Sequence, residues 1–301
     1  MKLFINSFLN FSLIFLTIIF LIISLNKLII KFTPINFSSD KNILLIGDSN
    51  SETAVNDSVF KRAVNFSSPA ESYFYSYLKL NKILANNNNL DTVLLSFSPH
   101  NIFDNKWFEN RNFVRHHFCR YYTIMNYSDF ILVTKHHFKT IIHNFNSIIL
   151  QFIKNIYRKY KGEDMLKLGG FTALKTEMLE ESIRSLEKKN QIINFRLPTK
   201  LDPTPIETIY LNKIYQLCDK KQVKLILINF PKRQELLNHK NYGIKEFHKF
   251  YEKNFQHINY FDFSCFSMTD NMYSDFFHLH ERGALYFSKF LEKNKWEKFR
   301  Y

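Results

Sequence analysis

The chain has 301 residues, 46% of them hydrophobic, and a formal net charge of +14. That apolar content supports a full core and excludes global disorder. The basic excess favours anionic partners, yet no zinc-finger spacing, RNP-like motif or Gly-Lys-Ser/Thr phosphate loop is present, so nucleic acid is not an expected partner.

Leu3 to Leu25 carry no charge. About 20 such residues in a helix span roughly 30 Å of hydrocarbon. The exit, Asn26-Lys27-Leu28-Ile29-Ile30-Lys31, lacks the small-residue site that ends a cleaved signal. Residues 1–31 are therefore expected to be a single-pass transmembrane anchor. Lys2 on one side and Lys27 and Lys31 on the other nearly balance, so charge does not set its orientation. A linker over 32–41, with Thr33-Pro34 and Ser38-Ser39-Asp40, leads into one domain over 42–301.

That domain opens on Ile43-Leu44-Leu45-Ile46, an apolar strand stopped by Gly47-Asp48-Ser49-Asn50. A short helix or turn follows. Ala63 to Phe66 predicts a second strand, and Pro69 is placed to start a helix bearing Tyr73, Phe74, Tyr77, Leu78 and Leu84. Thr92 to Phe97 predicts a third strand, ended by Ser98-Pro99. Strand–helix alternation of this kind makes a parallel sheet wrapped by helices.

The stretch from about 103 to 200 breaks the rhythm and is expected to be a helical insertion. Phe138, Ile141, Ile142, Phe145, Ile149, Phe152, Ile153 and Ile156 form a helical stripe, and no acid lies between Lys135 and Lys161. Two readings stand: a helix packed on the sheet domain, or a basic amphipathic helix resting on anionic membrane. Lys175 to Lys189 predicts a second, charged helix. Alternation then returns: a helix after Pro203 and Pro205, a strand over Val223 to Phe230, a helix over Ile244 to Asn254, a strand over Tyr260 to Phe263 and a last helix over Glu281 to Glu292.

Ser49 falls where open parallel sheets put functional groups, at the carboxyl end of a strand. A serine alcohol needs a base. His278 can serve, since an imidazole titrates near about 6.5, and Asp275 can orient it if residues 275–278 turn. His280 is the nearest competitor as base. Cys119, Cys218 and Cys265 are too few and too scattered for a disulfide scaffold or a cysteine metal site. The pairs His116-His117 and His136-His137 lack an acidic cluster, and adjacent helical residues point about 100° apart. Neither a metal nor a cofactor is expected.

Gly47-Asp48-Ser49-Asn50 after the first strand and Asp275-x-x-His278 before the last helix resemble the opening and closing blocks of the SGNH/GDSL hydrolase superfamily. The resemblance implies a three-layer, flavodoxin-like α/β fold, no metal, and a catalytic Ser49, His278 and Asp275 acting on acyl esters. With its amino-terminal anchor, and with Ser98-Pro99-His100-Asn101 after the third strand, the chain is similar to the DltD-like and AlgX-like envelope branch. That branch implies an extracytoplasmic domain, an acylated envelope polysaccharide as substrate, and a multi-span membrane acyltransferase as partner. It leaves open a hydrolase, an O-acyltransferase or a non-catalytic partner of such a complex. Two blocks depart from the superfamily pattern. Asn65-Phe66-Ser67-Ser68 has no Gly where a backbone oxyanion donor is usual, and Ser98-Pro99-His100-Asn101 replaces Gly-x-Asn-Asp. Ser67, Ser68 and Asn101 are the expected oxyanion donors beside the Ser49 N–H, with His100 the competitor of Asn101.

Overall fold

Five strands form one sheet in the computed structural model of the chain: β1 Ile43–Ile46, β2 Ala63–Asn65, β3 Thr92–Ser96, β4 Lys224–Asn229 and β5 Asn259–Asp262. The structure describes residues 1–35, 38–85, 87, 89–103, 108, 111–163, 166, 168–176, 201–293 and 300–301. Every pairing is parallel and the spatial order is β2-β1-β3-β4-β5. A parallel sheet is covered on both faces, so its strands are apolar throughout rather than alternating. β1 is buried along its whole length, and β4 is buried everywhere but Lys224.

Among the described residues the α-helices are α1 Lys2–Phe32, α2 Ser49–Ala54, α3 Tyr73–Leu84, α4 Pro99–Ile102, α5 Arg111–Tyr121, α6 Tyr127–His143, α7 Phe145–Tyr160, α8 Pro205–Lys220, α9 Gln234–Leu237, α10 Ile244–Asn254 and α11 Glu281–Glu292. One face of the sheet (Ile43, Leu45, Leu94, Ile226, Ile228, Phe261) packs with Phe287 and Leu291 of α11. On the other, Phe97 and Tyr260 meet Phe247 and Tyr251 of α10, and α8 packs against β4 and α3. Each such side chain contributes about 1.5–3 kcal/mol by leaving water. The architecture is thus α/β with the doubly wound strand order 2-1-3-4-5, whose functional crevice lies outside the carboxyl ends of β1 and β3.

The chain divides into two compact units. The sheet unit comprises Asn36–Phe108 and Leu168–Tyr301; the helical unit comprises Met1–Ile35 and Glu109–Lys167. In the helical unit, the end of α1 is built into the bundle. Asn26 is buried, its amide donating to the Tyr122 hydroxyl and its oxygen accepting from Asn155 Nδ2 at 3.3 Å. Lys27 Nζ donates to the Met125 carbonyl at 2.9 Å. α1 is long and apolar enough to cross a membrane, with a mean hydropathy of 2.6 over its most apolar window.

Two expectations change, and a third falls largely outside the described residues. Pro69 does not open α3; Ala70 takes a left-handed φ of 50°, and the helix starts at Tyr73 after Ser72, with the Tyr73 N–H donating to buried Glu207 at 2.7 Å. The apolar stripe from Phe138 to Ile156 runs along two helices, because α6 closes at Asn144, whose Nδ2 donates to the Thr140 carbonyl at 2.7 Å. The helix expected over 175–189 lies outside the described residues from 177 onward.

Candidate active site

β1 is followed by Gly47, whose φ of +143° favours glycine and whose place leaves no room for a side chain: a Cβ would stand 2.4 Å from that of Ser96. This close passage of β1 against β3 turns the chain so that Asp48 caps α2, accepting from the Asn50 N–H at 3.1 Å. Ser49 then occupies the first helical position, half-buried, with its hydroxyl at the strand end. Its backbone N–H has no carbonyl one turn back to bond, as for every first-turn amide.

The partner residues come from the loop after β5. Phe276 and Phe277 anchor it in a cluster with Leu236 and Tyr242. Between Ser274 and His280 the chain doubles back, with the Ser274 N–H donating to the His278 carbonyl at 3.0 Å and the His280 N–H to that of Met272 at 2.9 Å. Asp275 Oδ1 accepts from the backbone N–H groups of Phe277 and His278 at 2.7 and 2.8 Å. Those bonds fix the carboxylate, and His278 Nδ1 lies 2.9 Å from Asp275 Oδ2. His278 Nε2 lies 2.8 Å from Ser49 Oγ. Residues 229 positions apart thus meet in a Ser-His-Asp relay. His280 takes another job: it caps α11, its Nδ1 accepting from the Arg282 N–H at 3.2 Å.

Beside this relay lies a second polar cluster. Asp48 is fully buried and accepts from Ser96 Oγ (2.8 Å), Asn50 Nδ2 (2.8 Å), His100 Nε2 (2.5 Å) and Asn101 Nδ2 (3.2 Å) in addition to the Asn50 N–H. Burial alone would raise its pKa, but the adjacent His100, Lys232 and Asn50 hold the carboxyl well below its ordinary value. His100 Nδ1 faces Ser98 Oγ at 2.9 Å. Burial pushes the imidazole of His100 below its ordinary pKa although Asp48 pulls the other way.

Lys232 follows β4 and is 2% exposed. Its Nζ donates to Asn50 Oδ1 and, at 3.1 Å, to the Phe277 carbonyl. It therefore ties the neighbour of Ser49 to the neighbour of His278. Burial lowers its pKa to about 8, against the pull of Asp48, Asp275 and Asp262. Nothing in the sequence reading singled out Lys232. The available signal was a lysine right after Pro231 at the carboxyl end of the most apolar strand, where a charge is out of place unless it has partners.

The expected oxyanion donors make hydrogen bonds within the fold. The Ser67 N–H donates to Asn65 Oδ1 at 2.9 Å and the Ser68 N–H to the Gly47 carbonyl at 3.0 Å. Asn101 is buried, with Nδ2 on Asp48 and Oδ1 accepting from Ser98 Oγ at 2.7 Å. Ser68 and Asn101 thus hold the turn around Asp48 in place, and Ser67 the turn after β2. Among the described residues no group of His, Cys, Asp and Glu could hold a metal ion.

No protein-family model matches the chain, and no curated protein matches it. Two solved structures that match are a proposed platelet activating factor from Streptococcus pneumonia and a proposed acylhydrolase from Bacteroides fragilis. The first is 12% identical with a TM-score of 0.40, covering 91% of this chain and 90% of its own. The second is 9% identical with a TM-score of 0.37, covering 88% and 91%.

Proposed function

We propose that the chain is a serine acyl-ester hydrolase or O-acyltransferase of the SGNH type, tethered by α1 and acting on an acylated envelope polysaccharide. The observation that carries the chemistry is the relay Ser49 Oγ–His278 Nε2, 2.8 Å, with His278 Nδ1–Asp275 Oδ2, 2.9 Å. Ser49 Oγ attacks the ester carbonyl carbon as its proton passes to His278 Nε2. The tetrahedral intermediate collapses, the C–O bond breaks, and the leaving alkoxide takes the proton from His278, leaving acyl-Ser49. Water attacking that ester yields a carboxylic acid; a sugar hydroxyl yields a new ester. In both cases His278 accepts the attacking group's proton and returns it to Ser49. Asp275 keeps Nε2 facing the serine and stabilises the imidazolium.

Support for the polysaccharide substrate and the envelope location comes from the resemblance of Gly47-Asp48-Ser49 and Ser98-Pro99-His100-Asn101 to the membrane-anchored branch, and from an α1 whose end is packed into the helical unit. Acyl content of surface polysaccharide in cells carrying wild type or Ser49→Ala, at matched protein levels, tests it. A clear change in ester content is expected; identical content rules the reading out. A second reading, a non-catalytic partner of a membrane acyltransferase, is favoured by the internal bonds of Ser67, Ser68 and Asn101. It predicts that Ser49→Ala leaves polymer acylation intact.

A further inference from the structure

The helical unit carries an open cavity of about 640 Å³ lined by Arg115, His116, Cys119 and Arg120 of α5, Ser147, Leu150, Gln151, Lys154 and Arg158 of α7, and Leu166. Among these residues are four permanent or near-permanent cations and no carboxylate. Lys154 and Arg158 stand one helical turn apart on the same face as Gln151 and Ser147. Next to that face, Leu150, Ile153, Tyr157 and Tyr160 recur at helical spacing and are each more than half exposed. Leu150 belongs to both, so the charged hollow and the apolar stripe share an edge. One turn beyond Gln151, Asn155 is buried, its Oδ1 accepting from Gln151 Nε2 at 2.8 Å and its Nδ2 donating to Asn26 of α1 at 3.3 Å. From Leu3 to Asn26 a helix rises about 35 Å, roughly the hydrocarbon thickness. The bundle that holds the cavity is thus built around the point where α1 would leave a bilayer.

We infer that this cavity binds the phosphate headgroup of an anionic membrane phospholipid, with the acyl chains lying along the Leu150–Tyr160 stripe. Guanidinium forks fit phosphate oxygens two at a time, Ser147 adds a neutral hydroxyl donor, Gln151 Nε2 being held by Asn155 Oδ1 at 2.8 Å, and the stripe supplies the apolar surface that a free anion would not use. A zwitterionic lipid offers the same phosphate but adds a cation that the four basic side chains repel. The inference stands apart from the catalytic reading, since none of these residues takes part in the Ser49 relay.

The full chain in non-ionic detergent, titrated with phosphatidylglycerol and followed by native mass spectrometry, tests it. Phosphatidylglycerol should bind at least about tenfold tighter than phosphatidylcholine. Lys154→Gln/Arg158→Gln should remove that preference, and Arg115→Gln/Arg120→Gln should do the same from the other wall. Lys159→Gln/Lys161→Gln, which removes the same charge from outside the cavity, should retain it. Circular dichroism shows whether each variant keeps its helices, and ester hydrolysis by the two cavity variants should match wild type. Equal binding of the two lipids, retained preference in both cavity variants, or displacement of phosphatidylglycerol by millimolar inorganic phosphate would each overturn the proposal.

Discussion

Two Asp-His-Ser relays stand side by side at the carboxyl edge of the sheet. In one, Asp275 holds His278 and His278 meets Ser49; in the other, Asp48 holds His100 and His100 meets Ser98. All four contacts lie within hydrogen-bond distance, at 2.9 and 2.8 Å in the first and 2.5 and 2.9 Å in the second, so distance does not single out the working one. Surroundings do. The Asp275 and His278 side chains are 31% and 16% exposed and Ser49 is half-buried, whereas Asp48 is sealed, Ser98 is 2% exposed, and the Ser98 hydroxyl is also committed to Asn101. A base needs a nucleophile that a substrate can reach. Only the first relay offers one. The second instead fixes the turn that presents Ser49, because Asp48 caps the helix on which Ser49 sits.

The largest separation between the relays should appear in catalysis. Ser49→Ala or His278→Ala should lower ester turnover by about 10⁴-fold or more while the melting temperature stays within a few degrees. Ser98→Ala should leave turnover within a few-fold and cost about 1 kcal/mol of stability. Reversed results would make the buried relay the working one. Asp48→Ala comes next. It leaves Ser96, His100 and Asn101 without their shared acceptor and Lys232 without a nearby opposite charge, and removing one partner of a buried charge cluster costs ~3–5 kcal/mol; denaturant unfolding should read this as a lower midpoint.

Lys232 links the relays, so its loss should touch both. Lys232→Met should lower kcat by roughly 10- to 100-fold through misplacement of Ser49 against His278, with KM little changed, as steady-state kinetics would show. Its pKa adds a pH signature. Between about 8 folded and 10.5 unfolded, the unfolded chain holds a proton that the folded one has released. Stability therefore rises with pH across that window, by up to about 3 kcal/mol. In Lys232→Met that rise should vanish from pH-dependent unfolding curves; an unchanged slope would show that Lys232 is not the buried cation of the site.

The same contrast explains what could be read in the sequence. Ser49, Asp275 and His278 were legible because each lies in a short local motif whose turn is set by its neighbours: Gly47 before the serine, the Asp-x-x-His spacing before α11. The sheet was legible because buried parallel strands are apolar runs ended by Gly, Pro or Asn. The second relay was not. Ser96, His100 and Lys232 come together only because β1, β3 and β4 are adjacent in space, and adjacency is a property of the whole sheet. The bonds of Ser67, Ser68 and Asn101 were hidden for the same reason: their partners, Asn65, Gly47 and Asp48, include residues from other elements. The boundary between α6 and α7 was missed because the apolar stripe continues in register through Asn144.

The account rests on Ser49 being the nucleophile, and active-site labelling reads that directly. The full-length chain treated with a fluorophosphonate and mapped by peptide mass spectrometry should carry the adduct on Ser49. Labelling should be lost in Ser49→Ala, nearly lost in His278→Ala and retained in Ser98→Ala. An unlabelled wild type, or equal labelling of wild type and Ser49→Ala, would contradict the account.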